Sequence, residues 1–414
     1  MGVGAGDRSG AHPPGGERVR ASAGRAPLAW GVLGLAVVAQ VGFSITEQGI
    51  PALTGFIKTD LDVSAAIAGL IVACFPLGRI VGSYAAGIAA DRFGERRVLL
   101  AGGIVGGALT LLAASAPVVV LCGLFLLAGA ASAAATPAGG RMVLAAFPPH
   151  RHGLALGARQ TGIPLGGLIA TAALPSIAHA AGWRWALVLA GLLTVAFVLP
   201  LLRVELEPAD VVQGSGPSPG RDRDVRLITL WGSLVVVGQY SLLAFLALDV
   251  HEATGRSLAS ASLLVVVAQA AGIAGRLLWG WLSDRGDRPR RKPMLLVLTG
   301  TGLLAALALV AVPRTAPFGA LMAVAALAGA SVVGFQGLWI TMLAELAPAG
   351  RVGATTGFAI TLTVTAVTLT PPVLGLVADL AGTYRAIWVV LSGLLALAFI
   401  PAVLVHEPRD RLAS

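Results

Sequence analysis

The stretch Gly87 to Arg97, GIAADRFGERR, follows a long apolar run and decides how the rest of the chain is read. It is echoed by Gly280 to Arg291, GWLSDRGDRPRR, which closes another apolar run. In each copy a Gly is followed four positions later by Asp-Arg and then by a basic cluster: Gly87, Asp91, Arg92, Gly94, Arg96 and Arg97 first, then Gly280, Asp284, Arg285, Arg288, Arg290 and Arg291. Dense charge that abruptly ends an apolar helix marks the depth at which hydrocarbon gives way to water. One copy in each half of a 414-residue chain points to a duplicated membrane unit.

Composition agrees. At 56% hydrophobic and 12% charged residues, with a mean hydropathy of +0.85, the chain carries more apolar surface than a water-soluble fold can bury. The net charge of +9 is not spread as a nucleic-acid footprint, because the Arg residues fall in short segments between apolar runs. Cys74 and Cys122 both lie inside such runs and read as packing residues, not as a disulfide or a metal pair. No secretory signal is visible, and residues 1–27, rich in Gly, Pro and Arg, read as a disordered cytoplasmic tail.

A hydrocarbon core of roughly 30 Å needs about 20 apolar residues of helix. Runs of that length fall at 28–50, 65–89, 98–116, 118–140, 153–177 and 184–202. A second set falls at 227–249, 258–282, 293–313, 317–343, 354–378 and 385–405. The expected fold is an all-α integral membrane protein with twelve transmembrane helices in two pseudo-symmetric six-helix bundles, 28–203 and 227–405. Between them, 204–226 reads as a polar cytoplasmic linker, and 406–414 as a cytoplasmic tail. Lys and Arg concentrate on one side of this arrangement, with only Lys58, Arg184, Arg256, Arg314 and Arg385 in the opposite loops. That bias predicts a multi-pass protein of the cytoplasmic membrane with both termini cytoplasmic.

The repeat extends beyond the opening motif. FPPHRHGLALG from Phe147 matches APAGRVGATTG from Ala347, pairing Pro148 with Pro348, Arg151 with Arg351, Gly153 with Gly353 and Gly157 with Gly357. AAGWRWALVLAGLL from Ala180 parallels LAGTYRAIWVVLSGLL from Leu380. Two six-helix halves in one orientation are the parallel duplication found in alternating-access carriers.

With these residues in place, the chain resembles the major facilitator superfamily over nearly its whole length. The family's motif between its second and third helices, G-x-x-x-D-R-x-G-x-R, appears as Gly87, Asp91, Arg92, Gly94 and Arg96, with Glu95 where many members carry Arg or Lys. The second copy keeps Gly280, Asp284 and Arg285 and moves the next Gly to Gly286. The resemblance implies that these residues form a gate, a charge and helix-dipole latch on the cytoplasmic side. A carboxylate among arginines at a helix end fits that role. Glu345, Arg141 and Arg351 read as further inner-gate charges.

Four charged residues stand inside or near apolar spans: Glu47, Arg79, Arg159 and Arg276. A charge near the bilayer centre costs roughly 2.5–3.5 kcal/mol on lenient scales, so each should face a cavity or a partner. Arg276 shares a helical face with Gly272 and Gly280, which predicts open space around its head. Its position resembles that of the substrate-contacting Arg in the eighth helix of monocarboxylate, oxalate and nitrate carriers, although Gly272 replaces the acidic partner of the animal monocarboxylate branch. A guanidinium suits a carboxylate because two parallel hydrogen bonds can form. Arg79 on the second helix is expected to complete a two-sided anion clamp with Arg276, or to pair with Glu47. Glu47 stands about where proton-coupled members carry a helix-one carboxylate, and is the candidate for proton coupling. Arg159, Gln239, Tyr240, Gln336 and Trp339 complete the candidate substrate pocket. Gly162, Pro164, Gly166 and Gly167 resemble the fifth-helix motif of proton-linked exporters, with the Pro displaced by one position.

No nucleotide loop and no zinc-ligand spacing is present, so neither an enzyme nor a cofactor or metal is expected. The reading is a secondary transporter of a small organic anion or similar metabolite, coupled to protons, bound to no nucleic acid, and by family habit a monomer in the lipid bilayer. Two alternatives stand beside it: a proton-driven exporter of drugs or secondary metabolites, and a membrane sensor or scaffold that does not transport.

Overall fold

The computed structural model describes residues 26–203, 218–285, 290–313 and 315–407. The expected N-terminal tail up to residue 25, the linker stretch 204–217, Gly286 and Arg288 of the second motif, Arg314, and residues 408–414 lie outside the described residues.

Among the described residues, twelve helices are long and apolar enough to cross a membrane. The first half holds α1 (Leu28–Ala52), α2 (Ile67–Phe93), α3 (Glu95–Ala113), α4 (Val118–Ala146), α5 (Pro149–Ala181) and α6 (Trp183–Arg203). The second holds α7 (Arg223–Thr254), α8 (Leu258–Asp284), α9 (Arg291–Val310), α10 (Phe318–Leu346), α11 (Val352–Ala381) and α12 (Arg385–Leu404). The count and the two sets of six are as the apolar runs predict.

The helix ends differ from expectation for local reasons. α2 runs on to Phe93, so Asp91 and Arg92 stand in its last turn and not in a loop; Gly94, at φ 84°, ends it. α7 starts inside the expected linker, where the Asp222 carboxylate accepts from the Asp224 and Val225 amides and caps the helix. Three spans are not continuous. α4 is interrupted by a turn at Ala133 and Ala134, α5 by a turn at Thr161, and α10 by a wide π-type turn over Gly329–Val333.

Small residues let the helices approach closely, as membrane packing requires where no hydrophobic force acts between helices. Gly129 of α4 rests on the Phe75 carbonyl of α2, and Gly329 of α10 rests on the Ala268 carbonyl of α8, the same crossing in each half. The halves join through two long contacts, α2 against α11 and α5 against α8. Both are tight at the face that carries the α2–α3 and α8–α9 turns, called here the motif face. Towards the opposite face the same helices part around a cavity.

Candidate functional site

The cavity measures about 620 Å³ and is walled by α1, α2, α5, α7, α8 and α11, three helices from each half. Its wall uses the last turns of α1 (Glu47, Gln48, Pro51), the first half of α2 (Gly69, Val72, Pro76) and the latter part of α11 (Val367, Thr368, Pro371, Pro372). It therefore lies in the half of the molecule away from the motif face. Polar groups from α5, α7 and α8 converge on it: Thr171, Gln239, Tyr240, Gln269 and Arg276.

Arg276 stands at the wall with only 1% of its surface exposed. Its Nε donates to the Val333 carbonyl at 3.2 Å, and its Nη1 donates to the Gln160 carbonyl of the other half. That second acceptor has a covalent origin. In a helix the Gln160 carbonyl would take the N–H four residues on, and that residue is Pro164, which has none. The proline frees an acceptor, and a guanidinium from the opposite bundle takes it. Among the described residues no carboxylate pairs with Arg276. The open space predicted from Gly272 and Gly280 is absent: Gly272 packs on Val333 and Gly280 on the Gly153 carbonyl. These glycines let helices touch, and the cavity beside Arg276 comes instead from the parting of the two halves.

Arg79 and Arg276 both lie within electrostatic reach of Tyr240, but Arg79 is not part of the cavity wall. It forms an ion pair with Glu47, linking α2 to α1, with side-chain exposures of 14% and 26%. Glu47 is itself part of the cavity wall. A buried guanidinium next to a carboxylate lowers its own cost by pairing, and of the two expectations for Arg79 the geometry takes the pairing.

Arg159 is away from the cavity wall. It is buried between α1, α4 and α5, where it donates to Gln40 Oε1 at 2.7 Å, Gln160 Oε1 at 3.0 Å and the Ala135 carbonyl. Gln336 stands one layer back, its Nε2 donating to Gln239 Oε1 at 3.2 Å, so that Gln239 and Tyr240 meet the cavity and Gln336 orients Gln239. Trp339 is also away from the cavity: its indole N–H donates to the Ile228 carbonyl at 2.9 Å and its ring packs on Phe335. An aromatic between α7 and α10 is a packing element here because Gly232 leaves its backbone open to the indole. Gln48, Gln269, Thr171 and Thr368 join the wall without having been singled out in the sequence, where amides and hydroxyls within apolar runs carry little signal.

At the motif face each Asp of the repeated motif caps a helix of the opposite half. Asp91 accepts from the Gly353 and Ala354 amides of α11 at 2.8 and 2.7 Å. Asp284 accepts from the Gly153 and Leu154 amides of α5 at 3.1 and 2.7 Å. The two pairs of donating amides are repeat mates, so the clamp is itself duplicated. Gly87 and Gly280 allow it, since a Cβ at either would strike the facing carbonyl of Gly353 or Gly153. An Arg and a Glu support each Asp. Arg141 of α4 pairs with Asp91 and lies 3.5 Å from Glu95 of α3. Arg291 of α9 pairs with Asp284 at 2.6 Å and with Glu345 of α10 at 2.8 Å. Between the halves the third and fourth helices have exchanged the signs of their charges.

The remaining motif arginines act elsewhere. Arg96 donates to the Leu201 and Leu202 carbonyls at the end of α6, 2.9 and 2.6 Å away, and so ties its own half together. Arg92 is exposed. Arg285 lies over the Trp281 ring at 3.4 Å. Gly94 supplies the positive-φ turn between α2 and α3. The clamp is thus built by Gly87, Asp91, Gly280 and Asp284, together with Arg141 and Arg291.

Comparison with known proteins matches this arrangement. The family model of the Major Facilitator Superfamily aligns with residues 32–236 and again with 228–413. The hexuronate transporter of Bacillus subtilis is 24% identical over 381 residues, covering 85% of this chain and 89% of that protein. Human monocarboxylate transporter 11 is 31% identical over 277 residues, 62% of this chain and 56% of its own length. An uncharacterised MFS-type transporter of Mycobacterium tuberculosis is 27% identical over 250 residues, so the alignment spans 56% of that relative's length. Among solved structures, the outward conformation of FucP aligns with a TM-score of 0.70 at 17% identity, over 91% of this chain and 98% of that one. The proton:xylose symporter XylE aligns at 0.76 and 16%, over 92% and 97%. Two family matches that together span nearly the whole described chain, on the twelve-helix fold with its duplicated clamp, place this chain in the Major Facilitator Superfamily.

Proposed function

We propose that the chain is a secondary transporter that moves a small organic anion by alternating access, coupled to protons. Arg276 is the observation that carries this reading. A guanidinium buried to 1% exposure, bonded to carbonyls and facing a cavity, is a positive charge that lacks a counter-anion among the described residues. A carboxylate entering the cavity supplies one. Because Arg276 also bonds the Gln160 carbonyl of the other half, the anion meets a group that already spans the seam on which rocking occurs. The names of two relatives, a hexuronate and a monocarboxylate transporter, point to anionic substrates in those proteins and favour the same class here.

Glu47 is the proposed proton carrier. It lines the cavity while paired with Arg79, so a proton arriving from the cavity side neutralises the carboxylate and releases the guanidinium. The excess of Lys and Arg at the motif face supports placing that face in the cytoplasm. The clamps then close the inside, and the cavity opens outward.

The test is uptake of radiolabelled small carboxylates into proteoliposomes under an imposed proton gradient. Arg276→Ala is expected to abolish uptake, and Arg276→Lys, which keeps the charge but loses the planar fork, to retain a small part of it. Glu47→Gln is expected to keep exchange of anion for anion and lose accumulation driven by the proton gradient. Saturable movement of lipophilic cations that ignores Arg276→Ala would overturn this reading in favour of the drug exporter. Ligand binding without counterflow would favour the sensor.

A further inference from the structure

The cavity wall repeats the chemistry that freed the Gln160 carbonyl. Four prolines that line it, Pro51, Pro76, Pro371 and Pro372, stand inside helices. The residues four positions before them are Glu47, Val72, Val367 and Thr368, and all four also line the cavity. In a helix the carbonyl of residue i takes the N–H of residue i+4, and a proline there offers none. Residues i and i+4 share a helical face, and here that face is the cavity wall. The wall therefore displays four backbone acceptors deprived of their regular donor, on α1, α2 and α11. Buried backbone acceptors take partners wherever donors exist. At Gln160 and Pro164 the structure shows the outcome when a donor is at hand, because Arg276 occupies the freed carbonyl.

We infer that the substrate is a hydroxylated carboxylate, with its carboxylate on Arg276 and its hydroxyl groups donating to the proline-freed carbonyls of α1, α2 and α11. This rests on the anion reading and sharpens it. A carbonyl accepts and never donates, so these positions select for O–H groups and gain nothing from bare methylenes. The side-chain amides of Gln48, Gln239 and Gln269 stand in the same wall and donate to the oxygen side of the same hydroxyls. A site built to hydrogen-bond a hydroxyl rejects an analogue lacking it more sharply than a purely apolar pocket does.

The experiment uses the full chain in proteoliposomes, with labelled gluconate and labelled hexanoate, which share chain length and carboxylate and differ in hydroxyls. Gluconate is expected to be taken up at least about tenfold more efficiently than hexanoate. Pro372→Ala and Pro76→Ala restore the missing N–H. Each is expected to shrink that ratio several-fold, through a larger loss of gluconate uptake than of hexanoate uptake. Pro401→Ala, in α12 and away from the cavity wall, is expected to leave the ratio as it is. Equal uptake of the two acids, or a ratio unmoved by Pro372→Ala and Pro76→Ala, overturns this inference and leaves the anion reading standing. Uptake of neither acid, with retained uptake of an uncharged or cationic solute, overturns both.

Discussion

Asp249 shows how little of a buried charge is fixed by its own residue type. It sits in α7 near the end away from the motif face, 1% exposed, and the donor it faces, the Trp388 indole N–H, stands outside good hydrogen-bond geometry. The groups around it are the Trp388 indole, Arg385 and Glu252. Arg385 is committed to the Val312 carbonyl, and Glu252 accepts from the Thr383 hydroxyl at 2.7 Å. An unpartnered buried carboxylate is destabilising by about 1–3 kcal/mol or more. Asp249→Asn keeps the shape and removes the ionisable oxygen, so it is expected to hold or raise the melting temperature of the purified protein by a few degrees. Asp249→Ala, which also leaves a void beside Trp388, is expected to lower it. A clear fall with Asn would show that the carboxylate has a partner and is stabilising. Arg276, Arg79 and Arg159 carry the same lesson. All three were legible as charges in apolar helices, yet one faces the cavity, one is neutralised by Glu47, and one is buried among amides and a carbonyl. Which fate applies depends on contacts as far apart in sequence as Arg159 and Gln40, and no local pattern encodes them.

At the scale of elements, the twelve spans were readable because length and hydropathy alone decide whether a helix crosses a bilayer. The interruptions of α4 and α10 were not readable. Ala133, Ala134 and the run Gly329–Val333 are as apolar as their neighbours, and the breaks arise where these helices cross α2 and α8 at glycine contacts. The interruption of α5 did have a signal in Pro164, although its consequence, a carbonyl offered to Arg276, needed the other half in place. The supports of the two clamps make a prediction at this scale. Arg291 has no exposed side-chain surface and holds both Asp284 and Glu345, whereas Arg141 is 17% exposed and reaches Asp91 closely but Glu95 only at 3.5 Å. Removing one partner from a buried ion network costs about 3–5 kcal/mol, since the charges left behind are unpaired. Arg291→Gln is therefore expected to lower thermal stability in detergent by several degrees more than Arg141→Gln. Equal losses would mean that water reaches Arg291 as freely as Arg141.

For the whole molecule, the two clamps tie the halves together at the motif face. Each places a carboxylate on two backbone amides at the start of a helix in the opposite half, an arrangement worth about 1–2 kcal/mol where the site is partly buried. One clamp then biases the two-state balance roughly 5- to 30-fold, and two independent clamps multiply that bias. Under the proposed function the cavity holds the opposing lever, since an anion drawn to Arg276 would pull on a residue that bonds across the seam at the Gln160 carbonyl. Neutralising the clamps should move the population without touching the cavity. His150 at the start of α5 and Arg290 before α9 are both exposed at the motif face and belong to opposite halves, so spin labels there report the opening of the seam. Asp91→Asn or Asp284→Asn alone is expected to add a minor population at longer distance. The double variant should make that population dominant, since Asn is neutral and keeps one accepting oxygen, so that one of the two backbone amides in each clamp loses its acceptor. If the distance distribution of the double variant coincides with that of the unmodified protein, the motif carboxylates anchor topology only, and closure of this face must come from the α2–α11 and α5–α8 packing.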